Sequence, residues 1–173
     1  MTDTPITLVH ITTVPGSLGF LRGQIGFMKA RGLAIEAISS PGERLAQFAE
    51  REGVPVHAVP MPRSITPLAD LMALRRLVAL LKRIKPTIVH AHTPKGGLLG
   101  MIAARLAGVP VRIYHMRGLP MMTATGWKRT LLSLTERVSC RLAHRVICVS
   151  HSIRQYAIDA GLCPAEQIVT FHG

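Results

Sequence analysis

Short runs of β-branched and other apolar residues alternate along this chain with longer segments that carry apolar residues at helical spacing. Only a few residues separate one segment from the next. A strand that is followed by a helix and then by a parallel strand needs a right-handed crossover, and helices must then cover both faces of the sheet. The pattern therefore predicts an α/β fold with one doubly wound parallel sheet of about seven strands.

The predicted segments follow from hydrophobic spacing and from the residues that start and stop helices. Ser17 and Ser150 are expected N-caps, and Gly32 and Gly53 are expected to end helices. The predicted strands are 6–11, 34–39, 55–59, 87–91, 109–114, 145–149 and 168–171, and the predicted helices are 18–31, 43–52, 66–85, 97–106, 127–144 and 151–160.

The net charge of the chain indicates which classes of binding partner to expect. The chain has 21 Lys and Arg against 9 Asp and Glu, a net charge of +12, so its surface attracts anions such as phosphorylated substrates, anionic lipid or nucleic acid. Four Phe, two Tyr and one Trp make no platform for stacking bases, so nucleic acid is not a predicted partner.

Cysteine usage and the start of the chain indicate a cytoplasmic location. The three cysteines are odd in number and form no C-x-x-C pair, which favours reduced thiols in core or neutral positions. The first residues lack the features of a signal peptide. The longest apolar stretch, Gly96 to Ala104, is too short to span a membrane, so we expect any membrane contact to be peripheral.

In a doubly wound sheet, ligands bind beyond the carboxyl ends of the strands near the switch point, which directs attention to the loops after strands one, four and five. The first loop contains Gly16, Ser17 and Gly19 and leads into a helix, where free N–H groups favour a phosphate. It is not a G-x-G-x-x-G motif, so a nicotinamide or flavin cofactor is not predicted. The alternative is that these glycines only make a tight turn.

The end of strand four and the loop after it contain His90, His92 and Lys95. An H-x-H pair on one side of a strand could bind a metal ion, but no third ligand lies at a recognisable spacing, so we predict no metal site. We expect one histidine to be packed and the other to face the cleft. Lys95 could bind an anionic ligand or simply be solvated.

His115 and Arg117 follow strand five and place an imidazole and a guanidinium at the same cleft edge. Arginine can bind phosphate through two hydrogen bonds, and histidine can donate to or accept from a hydroxyl group. The alternatives are a core position for His115 and a surface ion pair for Arg117. The three loops contain no Asp or Glu, so acid–base hydrolysis by paired carboxylates is poorly supported.

The two longest predicted helices combine an apolar stripe with clustered basic residues. The simple interpretation is a core-facing stripe with a solvated basic face. The alternative is peripheral contact with anionic lipid, assisted by the apolar loop 119–122 and by Trp127.

Several segments, in this order and spacing, resemble the N-terminal domains of family 4 GT-B glycosyltransferases, especially bacterial enzymes that build capsule, exopolysaccharide or lipid-linked glycans. The resemblance covers essentially the whole chain and implies the Rossmann-like N-terminal half of a GT-B fold. The segments are 9–17, VHITTVPGS; 39–42, SSPG; 86–100, PTIVHAHTPKGGLLG; 118–120, GLP; and 148–152, CVSHS.

This resemblance implies transfer of a sugar from a nucleotide donor, often a UDP-sugar, to a lipid-linked or polysaccharide acceptor, with retained configuration and no obligatory metal or cofactor. His115 matches the histidine of the reaction centre. The loop Gly16 to Gly19 matches the segment that approaches the donor phosphates and the acceptor, and His92 and Lys95 match acceptor-side cleft positions. Arg117 adds a phosphate-binding group at the same edge.

Residues 1–173 are therefore expected to form the acceptor-side domain alone, with the donor-binding C-terminal domain absent and supplied in cis or in trans. Two alternatives remain open. The chain could be a non-catalytic, membrane-recruiting subunit of a split glycosyltransferase. It could also be half of a GT-B sugar-nucleotide 2-epimerase, which would need acidic cleft residues that the sequence does not show.

Overall fold

A computed structural model describes residues 5–171 and contains one parallel sheet of seven strands in the order β3-β2-β1-β4-β5-β6-β7. The strand order reverses between β1 and β4, which makes their carboxyl ends the switch point and confirms the predicted doubly wound architecture. The strands are β1 Thr7–Ile11, β2 Ala34–Ser39, β3 Val56–Ala58, β4 Ile88–His92, β5 Val111–Met116, β6 Arg145–Cys148 and β7 Ile168–Thr170.

Six α-helices and two short 3-10 helices connect the strands within the described residues. The 3-10 helices are Pro15–Leu21 and Pro120–Met122. The α-helices are α1 Gln24–Lys29, α2 Glu43–Glu52, α3 Pro67–Ile84, α4 Pro94–Leu106, α5 Gly126–Leu142 and α6 His151–Asp159.

Two apolar cores lie on opposite faces of the sheet. The larger joins alternate residues of the central strands, such as Ile11, Ala91 and Tyr114, to α3, α4, α5 and α6. The smaller joins Leu8 and Ile35 to α1, α2 and the first 3-10 helix. Because strand side chains alternate between faces, the residues next to Ile11, Ala91 and Tyr114 point toward the side of the smaller core.

The single helix predicted at 18–31 is wrong. The chain instead forms a 3-10 helix, then Gly23 in the left-handed conformation at φ 78°, then the short α1. Four glycines between residues 16 and 26 explain the break, since glycine costs about 1 kcal/mol per helical position relative to alanine. Ser17 lies inside the 3-10 helix, and its predicted N-cap role is also wrong.

Strand five lies two residues later than predicted, and strand four ends one residue later. Pro110 lacks the N–H group that a strand interior requires, which fits a start of β5 at Val111. Helix α4 begins at Pro94 rather than at Gly97. As a consequence, His92 and His115 belong to strands rather than to loops.

Other local predictions are confirmed. The bounds of β2 and α2 match, and Gly53 ends α2 in the left-handed conformation. The Ser150 hydroxyl caps α6 by accepting a hydrogen bond from the Ile153 amide. The three cysteines are buried free thiols. Within residues 5–171, no helix has the length and apolar character to cross a membrane.

Candidate functional site

The loops after β1 and β4 are held together at the switch point. The hydroxyl groups of Thr13 and Thr93 lie 3.1 Å apart. The Thr12 hydroxyl donates to the Ser39 hydroxyl at 3.0 Å and so links the end of β2 to the same edge. A side chain at Gly96 would lie within 3.2 Å of Thr13 and Thr93, so glycine is needed where α4 begins. The carboxyl edge of the sheet is therefore tightly fixed.

Four histidines form a cluster beneath this edge. His10 on β1 lies opposite His90 on β4, and His92 on β4 lies opposite His115 on β5. All four alternate with residues of the larger core, so their side chains share the other face of the sheet. The contacting rings have centroids 4.2–5.4 Å apart. We call these four residues the histidine cluster.

Arg117 fixes the tautomers of part of the histidine cluster. Its Nε lies 3.4 Å from His92 Nδ1, and because a guanidinium can only donate, His92 Nδ1 is the acceptor. The proton of His92 is then on Nε2, which donates to His10 Nδ1 at 3.0 Å. His10 Nε2, His90 Nε2 and both nitrogens of His115 are buried without a hydrogen-bond partner among the described residues.

Burial keeps the histidine cluster neutral. The pKa of His10 is lowered to about 3, chiefly by burial and further by Arg117 and His115. Burial and neighbouring positive groups also lower the pKa values of His90 and His92 well below the ordinary value. The pKa of His115 is lowered to about 4 by burial and by Arg117. At neutral pH these rings offer neutral donors and acceptors rather than positive charge.

Arg117 supplies the positive charge at this edge. Its guanidinium carbon lies 4.5 Å from the centroid of the Phe20 ring, a cation–π contact that joins the end of β5 to the first 3-10 helix. The side chain is half-buried between Phe20 and His92, and its remaining N–H groups can hydrogen-bond an anionic ligand.

Arg44 is a further cation near the first loop, and the sequence analysis did not identify it. Gly16 and Gly19 are exposed and Ser17 is partly exposed in the 3-10 helix, as a ligand-contacting segment requires. Arg44 of α2 approaches Gly16 so closely that a side chain there would lie 3.0 Å from the guanidinium. Ligand binding by Gly16, Ser17 and Gly19 stays a prediction.

Lys95 and His92 are not open to the cleft as expected. The Lys95 ammonium group forms an ion pair with Asp70 at 2.6 Å and donates to the carbonyl groups of Pro62 and Ser64. It therefore ties α4 to the segment before α3. His92 is only 1% exposed, and its Nδ1 atom is hydrogen-bonded by Arg117. Their roles in binding stay predictions.

Sequence reasoning brought His115 and Arg117 to one edge, and the structure agrees, but it missed His10. His10 is 80 residues from His90, and only the pairing of β1 with β4 brings the two together. The sequence feature that could have identified His10 as a site residue is its position one residue before the end of the first predicted strand.

A single doubly wound parallel sheet with flanking helices defines an α/β domain with the fold of one half of a GT-B protein. Residues 20–173 match the family described as the glycosyl transferase 4-like domain, and the chain belongs to this family.

Two relatives are similar in sequence. The capsular polysaccharide biosynthesis glycosyltransferase CapM of Staphylococcus aureus is 35% identical over 161 residues, which cover 93% of this chain and 42% of that protein. The UDP-Gal:alpha-D-GlcNAc-diphosphoundecaprenol alpha-1,3-galactosyltransferase of Escherichia coli is 35% identical over 100 residues, which cover 56% of this chain and 25% of that protein. The chain thus spans less than half the length of either relative.

Solved structures share the fold at lower identity. HepE of Anabaena in complex with UDP and glucose has a TM-score of 0.70 at 18% identity, covering 96% of this chain and 44% of that one. A UDP-N-acetylglucosamine 2-epimerase has a TM-score of 0.74 at 16% identity, covering 96% of this chain and 48% of that one. The fold is therefore shared with a protein that binds UDP and glucose and with an epimerase, and it does not by itself distinguish one activity from another.

Proposed function

We propose that this chain is the acceptor-side domain of a retaining glycosyltransferase, which transfers a sugar from a nucleotide donor, a UDP-sugar, to a lipid-linked or polysaccharide acceptor. A donor-binding domain, in cis or in trans, completes the active site. Both relatives described above are glycosyltransferases, one of them acting with a UDP-sugar on a diphosphoundecaprenol-linked acceptor, which supports this reaction class.

The observation that carries the proposal is the pairing of His115 with Arg117 at the end of β5. Both nitrogens of the buried His115 ring lack a partner among the described residues, and Arg117, directly after the end of β5, contacts His92 of the same histidine cluster. A neutral imidazole can hydrogen-bond a sugar hydroxyl, and a guanidinium can bind a phosphate. His115 is then the catalytic residue of this domain, and Arg117, with Gly16, Ser17 and Gly19, binds phosphate.

The same geometry favours a transferase over the epimerase alternative. The histidine cluster and Arg117 supply no carboxylate. The carboxylates of Glu36 and Asp70 are engaged with His57 and Lys95 instead. The site would thus hold and orient a ligand through neutral imidazoles and arginine side chains, without paired acids.

The experiment joins residues 1–173 to the C-terminal half of the Staphylococcus aureus relative and measures transfer of radiolabelled sugar from a panel of UDP-sugars to undecaprenyl-diphosphate-linked acceptors. Transfer by the chimera, with neither half active alone, supports the proposal. A properly folded chimera that transfers no sugar, assayed beside the active intact relative, contradicts it. The anomeric configuration of the product, read by NMR, tests retention.

An anionic membrane surface is a second proposed partner. Trp127 and Met122 are 75% and 56% exposed and lie near Lys128 and Arg129 at the start of α5. Apolar side chains beside lysine and arginine favour the interface of an anionic bilayer. The sequence analysis predicted that the whole loop 119–122 assists membrane contact. This is wrong for Leu119 and Met121, which are buried.

Vesicle flotation tests this contact. We expect the chain to float with vesicles of equimolar phosphatidylglycerol and phosphatidylcholine but not with phosphatidylcholine alone. Replacing Trp127 and Met122 by serine should abolish flotation, whereas the matched control Leu106→Ser, which removes an exposed leucine of α4, should not. Equal flotation of both variants would exclude this surface as the contact.

A further inference from the structure

The unpartnered nitrogens of the histidine cluster require an explanation. Among residues 5–171, every buried side-chain nitrogen or oxygen that lacks a hydrogen-bond partner belongs to His10, His90 or His115. Buried polar atoms in native proteins are nearly always paired with protein, water or an ion. Four such atoms in one place indicate that something else binds there.

We propose that His10, His90 and His92 bind one divalent transition-metal ion. Each offers a ring nitrogen, and the three ligand atoms all lie within 4.8 Å of one another. Two nitrogens bound at roughly 2.1 Å to one tetrahedral ion lie about 3.4 Å apart, so ligand atoms must approach one another by at most about 1.4 Å to complete the site. His10 is the third ligand that the H-x-H pair lacked in the sequence.

The ligand set selects the kind of ion. Three imidazoles without a carboxylate suit Zn²⁺, Cu²⁺ or Ni²⁺, whereas Mg²⁺ and Ca²⁺ prefer oxygen ligands. The rings are neutral, which is the form that binds metal. His115 stacks on His90 with ring centroids 5.4 Å apart, so a further imidazole lies beside the three ligands.

The central strands hold the three ligands in fixed positions. These ligands come from two adjacent central strands, His10 from β1 and the H-x-H pair from β4, in a fixed register. His10 and His92 are buried; His90 is partly exposed as a residue, although its Nε2 atom is buried.

Arg117 opposes the ion. It donates to His92 Nδ1, but a histidine that binds metal through Nε2 carries its proton on Nδ1 and can no longer accept that bond. The guanidinium also repels a cation at this distance. Ion binding and the Arg117–His92 hydrogen bond therefore exclude one another. We expect Arg117→Gln to tighten metal binding by at least about tenfold.

The experiment titrates the purified chain, without a polyhistidine tag, with Zn²⁺ in a calorimeter and with Co²⁺ by visible absorption. We expect one ion per chain. His10→Gln, His90→Gln and His92→Gln should each weaken binding by about 100-fold, while the control variants His57→Gln and His144→Gln should bind like the unaltered chain. Absence of stoichiometric binding, or binding that survives His90→Gln, overturns the proposal and leaves water as the partner of these nitrogens.

A measurement on the unaltered chain covers the case in which a variant fails to fold. Cu²⁺ bound at this site should show electron paramagnetic resonance couplings from three imidazole nitrogens. A spectrum with oxygen ligands only would overturn the proposal. Neither experiment depends on sugar transfer, so a result that overturns the metal site can be distinguished from a result that contradicts the proposed function.

Discussion

Gly97 on α4 lies directly against the ring of Tyr114 on β5, so closely that a side chain at position 97 would overlap the ring. Tyr114 is fully buried in the larger core and cannot move aside. Glycine at this position therefore lets α4 pack closely on the sheet. The start of α4 follows shortly after the end of β4 at the switch point.

Gly97→Ala is expected to lower the free energy of unfolding by about 1–3 kcal/mol or more, the cost of overpacking a filled core. Urea denaturation of the purified chain measures it. The control Gly118→Ala adds a methyl group where no atom lies within 4 Å, and it should change stability little. Equal effects of the two substitutions would contradict the close packing of α4 on Tyr114.

The buried pair Tyr114–Glu136 predicts a pH dependence of stability. The Tyr114 hydroxyl donates to the Glu136 carboxylate at 2.8 Å, and burial raises the pKa of Glu136 to about 7. The unfolded carboxyl titrates near its ordinary pKa of 4.5, so the folded state binds more protons between pH 4.5 and 7. Stability from this group is present below pH 4.5 and is lost as the pH rises through 7.

Glu136→Gln removes this titration. Relative to the unaltered chain, the variant should gain about 1–3 kcal/mol of stability between pH 5 and pH 8, measured by urea denaturation at both values. The exposed control Glu50→Gln should show no such pH-dependent difference. A Glu136→Gln variant that loses the same stability at both pH values would show that the pair needs an ionised carboxylate.

Lys95 is expected to act on stability through Asp70. The two groups are 2.6 Å apart with side chains only 18% and 22% exposed, and Lys95 also donates to the carbonyl groups of Pro62 and Ser64. A double-mutant cycle of Lys95→Met and Asp70→Asn should give a coupling energy of about 1–2 kcal/mol. A coupling near zero, together with loss of ligand binding in Lys95→Met, would restore the cleft role that the sequence suggests.

Much of the fold could be predicted because its signals are local. The β-branched run 34–39, the helix ended by Gly53 and the Ser150 cap each depend on neighbouring residues, and each is confirmed. The prediction of one helix at 18–31 was wrong because it relied on the apolar spacing and did not weigh the cost of repeated glycines to helix stability.

The candidate site was predictable only in part because it depends on strand register. His115 and Arg117 are close in the chain and were found together. His10 reaches His90 only through the pairing of β1 with β4, and the burial of His92 depends on packing from three strands. Lys95 looked like a cleft cation because its partner Asp70 is 25 residues away in the chain.

The central claim is tested most directly by changing His115 in the chimera of residues 1–173 with the C-terminal half of the Staphylococcus aureus relative and measuring sugar transfer. His115→Asn should lower kcat by about 100-fold or more, because a positioned imidazole contributes on that scale. The matched control His57→Asn, whose histidine pairs with Glu36, should keep kcat. A folded His115→Asn chimera with unchanged kcat would contradict the account.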